Sequence, residues 1–168
     1  MYIYGGPKSQ LVSNDFRLPR LQRYLMSVYF GFAVVVIDGR GSSDRGLQFE
    51  SHLKYRLGSV EIEDQIAGLQ YVCDAKIGAE PTHDGTLTSV VDIHRVAING
   101  WSYGGYLSLM GLAQRPDIFK IAIAGAPVTD WKLYDSAYTE RYMGTPMSNP
   151  AGYQAGSVVN MANQFPDG

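Results

Sequence analysis

Residues 95–101, Arg-Val-Ala-Ile-Asn-Gly-Trp, run directly into Ser102-Tyr103-Gly104-Gly105, and a helical pattern begins at once. A β-branched, apolar stretch that stops at Gly100-x-Ser102-x-Gly104 and continues as a helix leaves the backbone little choice. It must make a sharp strand-to-helix turn that holds the serine hydroxyl clear of the sheet edge. The glycines suit such a turn because the strand and helix approach too closely for a Cβ. Gly-x-Ser-x-Gly alone is a modest signal, and a serine in a Gly-rich turn without chemistry is the plain alternative, so the flanking elements carry the argument. The chemistry this turn serves is acyl transfer through the serine.

The rest of the chain alternates in the same way. Met1–Pro7 reads as a strand end entering a Gly5-Gly6-Pro7 turn, and Leu18, Leu21, Leu25, Val28 and Tyr29 share one helical face. Phe32–Ile37 is an unbroken apolar run, as expected of a parallel strand covered on both faces, and Asp38–Ser43 is a loop signal. Val60, Ile62, Ile66, Leu69 and Cys73 predict a second helix, with Glu61, Glu63 and Asp64 in its first turns, where the helix dipole favours negative charge. Residues 78–91 read as a surface loop. A strand over 95–99, a helix over about 103–113 and a strand over 119–125 follow. Beyond Ala126 the chain is tyrosine-rich and loop-like, with one short helix expected near 157–164. This order implies an α/β fold, a mainly parallel sheet with helices on both faces.

At 168 residues with 45% apolar content, the chain fits one domain with a packed core. A formal net charge of −2 with scattered basic residues argues against nucleic acid or an anionic membrane as partner. No apolar run reaches the length of a membrane span, and the N-terminus lacks the pattern of a signal peptide. Cys73 is alone, so no internal disulfide forms, and it is expected to pack as a small apolar residue on a buried helix face. His52, His83 and His94 lack metal-ligand spacing, so no metal or cofactor is expected, and His94 is expected to face solvent. Arg40, Glu61, Glu63, Asp64, Asp135, Glu140 and Arg141 read as structural ion pairs or loop supports.

Several longer runs point further. Gly100-Trp-Ser-Tyr-Gly-Gly-Tyr106, Ala126-Pro-Val-Thr-Asp-Trp131 and Tyr134-Asp-Ser-Ala-Tyr-Thr-Glu-Arg-Tyr-Met-Gly144 resemble the catalytic domain of the prolyl oligopeptidase family, in its dipeptidyl peptidase IV branch. Tyr4–Pro7, Asp38–Ser42 and Leu57–Gln65 fit as well, and within the branch the chain is most like the subgroup of dipeptidyl peptidases 8 and 9. The resemblance implies a partial α/β-hydrolase domain over residues 1–168. It implies Ser102 as nucleophile, with the Tyr103 backbone N–H and the Tyr4 hydroxyl as oxyanion donors. It also implies a pocket for a penultimate proline or alanine lined by Tyr103, Val128, Trp131, Tyr134 and Tyr138. Aromatic walls suit a flat apolar ring that has no N–H. On spacing alone Trp131, Tyr134 and Tyr138 fit one helical turn, and equally an ordinary core stripe.

In α/β-hydrolases the triad runs serine, then acid, then histidine. All three histidines here precede Ser102. The acid, the base and the sheet's C-terminal strands are therefore expected beyond residue 168, and the chain alone is expected to be inactive, because a hydroxyl without a base is a poor nucleophile. The family's N-terminal β-propeller, which holds the substrate's amino terminus, is also outside these residues. The expected function is a serine dipeptidyl peptidase, read from a piece of it. A non-catalytic, partner-binding truncated product is the alternative, and an esterase of the same fold is weaker because the 126–144 segment is tyrosine-rich rather than aliphatic. The implied partners are a peptide substrate and, for the full-length form, a second copy; the implied location is cytoplasmic.

Overall fold

The apolar run before the serine forms β2 (Val96–Trp101), the central strand of a three-stranded sheet in a computed structural model that describes residues 1–16 and 21–167. Val96, Ile98 and Gly100 are buried in alternation, the period-two pattern of a strand with one face on the core. β1 (Tyr2–Ile3) and β3 (Phe119–Gly125) flank it, both parallel. Ile3 lies opposite Gly100 and Gly125 opposite Trp101, so all three strands end at the turn that carries Ser102.

α4 (Tyr103–Gln114) leaves that turn and packs back over β2 and β3, burying Tyr103, Tyr106, Leu107 and Met110. α3 (Val60–Asp74) packs against α4 and adds Ile62 and Leu69 to the same core. Each such side chain taken fully out of water stabilises the fold by about 1.5–3 kcal/mol. On the other face Ile121 and Ile123 stand exposed, while Arg23 of α1 (Leu21–Phe30) lays its guanidinium 3.5 Å from the centre of the Tyr2 ring. Among the described residues, no helix is long and apolar enough to cross a membrane.

The expected α/β alternation holds, with three changes. First, Phe32–Ile37 is not a full strand: it makes one parallel bridge, Tyr2 to Val36, and Tyr2 N–H donates to Val35 at 2.9 Å. β1 is only two residues long, so it offers no ladder for the run to extend along, and Phe32 and Val34 stay exposed. Second, Leu25, Val28 and Tyr29 of α1 lie on the surface rather than in the core; Leu18 lies outside the described residues.

Third, the segment after Ala126 is largely helical. It holds a 3-10 turn (Trp131–Leu133), α5 (Ser136–Met143), α6 (Pro150–Ala155) and a 3-10 turn at Val159–Gln164, while α2 (Leu47–Glu50) lies between α1 and α3. Capping explains the late helices. Asp135 accepts from Tyr138 N–H at 2.8 Å, Asn149 accepts from Gly152 N–H at 3.1 Å with Pro150 behind it, and Gly144 ends α5 at φ 68°. Cys73 is half-buried on α3, and His94 is exposed as expected.

Candidate active site

Ser102 sits at φ 56°, ψ −116°, a left-handed conformation that non-glycine residues rarely adopt. The surrounding contacts hold it there. Ser102 N–H donates to Gly125 at 2.9 Å, and its carbonyl accepts from Tyr106 N–H at 3.0 Å. A Cβ on Gly100 would run into the Gly104 backbone, one on Gly104 into the Ile3 carbonyl, and one on Gly105 would meet the Gly125 carbonyl at 2.6 Å. The three glycines let β1, β2, β3 and α4 converge on one point, and the strain at Ser102 is the result. Tyr103 is the first residue of α4, so its N–H is one of those left without an acceptor inside the helix.

Ser102 borders an open depression of about 250 Å³ lined also by Ala126, Pro127, Val128, Thr129, Asp130, Leu133 and Tyr134. Behind Val128 and Tyr134 lies a continuous set of rings. Trp131 is 5.5 Å from Tyr103, 5.8 Å from Tyr134 and 6.1 Å from Tyr138, and Tyr134 is 5.3 Å from Tyr138. The tertiary fold thus brings Tyr103, Val128, Trp131, Tyr134 and Tyr138 together beside the serine. They do not share a helical turn: Trp131 is in the 3-10 turn, Tyr134 is extended, and Tyr138 is in α5. Tyr4 follows β1, its ring 6.3 Å from Tyr103 and its Cα beside Gly104.

Burial shifts two of these phenols, Tyr103 and Tyr138. Desolvation first, and then the charge of Glu61, pushes the Tyr103 hydroxyl well above the usual tyrosine range. Desolvation, and then the neighbouring Tyr142, Tyr4 and Tyr134, does the same to Tyr138. Of these rings Tyr134 lines the depression beside Ser102, while Tyr103 and Trp131 are buried behind it and back an apolar wall. A larger groove of about 580 Å³ between α3 and α4 shares no lining residue with this site.

Glu61 is the contact that pattern reasoning missed. Read from sequence as an ion-pair or loop-support residue, it is fully buried without an ion pair among the described residues: Gly58 N–H donates to its carboxylate at 3.0 Å, a loop support, and the Tyr103 hydroxyl donates to its Oε1 at 2.5 Å. Of the other charged residues, Arg40 does pair with Asp64 at 2.6 Å and with Glu63 at 3.2 Å, and Asp135 caps α5. His94 stands two residues before β2 and Ser102 just after it, at opposite ends of a six-residue strand that spans ~20 Å.

A strained serine at a strand-to-helix turn, with a free helix N–H beside it, belongs to the serine hydrolases of the α/β class. Comparison with known proteins narrows the class: residues 20–167 match the prolyl oligopeptidase family, peptidase S9, and the chain belongs to that family. It is 51% identical to mouse dipeptidyl peptidase 8 over 99% of its own length and 43% identical to a probable dipeptidyl-aminopeptidase B of Aspergillus terreus over 96%. It spans 17% and 16% of the lengths of those relatives. The crystal structure of a putative dipeptidyl aminopeptidase IV from Bacteroides ovatus superimposes with a TM-score of 0.84 at 36% identity, covering 98% of this chain and 21% of that one.

Proposed function

We propose that Ser102 is the nucleophile of a serine dipeptidyl peptidase that releases N-terminal dipeptides with proline or alanine in the penultimate position, and that these residues form the nucleophile-bearing part of its catalytic domain. The observation that carries this reading is the strained Ser102 beside the Tyr103–Trp131–Tyr134–Tyr138 wall. In the reaction, the Ser102 Oγ attacks the carbonyl carbon of the penultimate residue. Its proton is passed to the nitrogen of the third residue as the peptide bond breaks and that peptide leaves as an amine, and water then hydrolyses the acyl-enzyme to release the dipeptide. The Tyr103 N–H and the Tyr4 hydroxyl donate to the oxyanion, while the aromatic wall with Val128 takes the proline or alanine side chain. The acid, the base and the propeller belong to further residues of a longer polypeptide. A cytoplasmic location and a dimeric full-length form are part of the same reading.

The second reading is a non-catalytic, partner-binding product. One experiment separates the two. A fluorophosphonate probe is applied to the 168-residue chain and to any longer polypeptide containing it, each with Ser102→Ala as control. Little labelling of the short chain, with Ser102-dependent labelling and dipeptide release by the longer polypeptide, is expected. A longer polypeptide that takes no label leaves the non-catalytic reading standing.

A further inference from the structure

The buried carboxylate of Glu61 has no part in the chemistry above, yet it touches the residue after the nucleophile. Glu61 lies in the first turn of α3, is 1% exposed, and forms no ion pair among the described residues. Removing a carboxylate from water without a cation is costly, and only hydrogen bonds compensate it. Those bonds come from the Gly58 N–H and from the Tyr103 hydroxyl. Phenylalanine at position 103 would present the same apolar wall without a hydroxyl, so the bond adds direction rather than area.

Packing covers the faces of the Tyr103 ring, and the hydroxyl bond holds its tip. A Cβ on Gly6 would lie 2.8 Å from its Cγ, which shows how closely that backbone covers one side of the ring, and Trp131 and Tyr106 each stand 5.5 Å from it. Three residues along α4, the Tyr106 hydroxyl lies 3.0 Å from the Leu57 carbonyl. The turn at 57–61 therefore grips the first and fourth residues of α4 through two phenols. A satisfied buried polar network of this kind rigidifies what it joins.

We infer that Glu61 is a positioning residue: by fixing the Tyr103 ring it fixes the Tyr103 backbone N–H at the oxyanion site and the floor of the substrate pocket. This rests on the reading of Ser102 as nucleophile. A displaced donor costs rate in the transition state more than it costs substrate binding.

The test has a kinetic and a structural arm. In the active polypeptide carrying this chain, Glu61→Gln is expected to lower kcat about tenfold with KM within about twofold. Tyr103→Phe, which removes only the hydroxyl, should reproduce that loss, and Glu61→Gln added to it should change kcat by less than about twofold. Losses that multiply in the double variant overturn the inference, as does a change confined to melting temperature. In the structural arm, the 168-residue chain is labelled with 15N-tyrosine. The Tyr103 amide resonance is expected to move in Glu61→Gln while that of Tyr153 stays; an unmoved Tyr103 amide also overturns the inference. A wild-type polypeptide without dipeptide release sinks the proposed function, and the amide shift still decides the role of Glu61.

Discussion

Tyr106 offers a test of how the core is tied together. Its ring is fully buried, in edge contact with Trp131 at 5.1 Å and Tyr103 at 5.5 Å, and its hydroxyl lies 2.9 Å from the Gly156 carbonyl and 3.0 Å from that of Leu57. A hydroxyl has one proton, so it satisfies one of these carbonyls at a time. Tyr106→Phe keeps the ring contacts and leaves one buried acceptor without a donor, a loss of about 1–3 kcal/mol. Tyr106→Ala adds the loss of the ring, for a total of about 3–5 kcal/mol or more. At this chain length 1 kcal/mol moves Tm by about 2–4 °C, so Tyr106→Phe should melt about 2–12 °C lower and Tyr106→Ala well below that. Urea denaturation followed by circular dichroism gives both differences, provided the slope with denaturant is unchanged. A Tyr106→Phe chain within about 0.3 kcal/mol of wild type would refute the reasoning. It would mean that water, not the phenol, satisfies those carbonyls.

Two further predictions follow from the site. Ser102→Gly relieves a positive φ that costs about 1–3 kcal/mol, partly offset by the added entropy of an unfolded glycine. The chain should gain about 1 kcal/mol in urea denaturation, and a loss of stability would contradict the strain assigned to the turn. Burial raises the Glu61 carboxyl above its ordinary value of 4.5. The folded state therefore holds that proton more tightly, and the contribution is present below pH 4.5 and lost as pH rises through the folded value. Wild type should lose stability relative to Glu61→Gln as pH climbs out of the ordinary glutamate range; a pH-independent difference would show that Glu61 is not desolvated.

Much of this was legible in the chain because it is local. The β-branched, apolar run over 95–99 and the helical pattern after Ser102, bounded by Gly100 and Gly104, marked β2, the turn and α4 to within two residues of their ends. β3 and α3 followed from the same periodicities. The helices α5 and α6 were not seen among the tyrosines of 126–155, although Asp135 and Asn149-Pro150 are helix-start signals and Gly144 is a stop. The Phe32–Ile37 run misled because a strand's pattern does not say whether a partner of equal length lies beside it.

The sequence by itself determined where the strand-to-helix turn at Ser102 must be, since close backbone approach and a left-handed serine demand glycines at set offsets, and the surrounding motifs carried the family. Only the tertiary structure decided what stands around Ser102. Trp131, Tyr134 and Tyr138 come from three different local conformations, and Glu61 reaches Tyr103 across a separation of 42 residues. The role of such an acid follows from burial and from what faces it, and neither is encoded in the residues next to it. On the page a glutamate in a helix's first turn is a dipole partner in water. Folded against α4, it is a buried carboxyl held by a phenol and a backbone amide, in contact with the residue that follows Ser102.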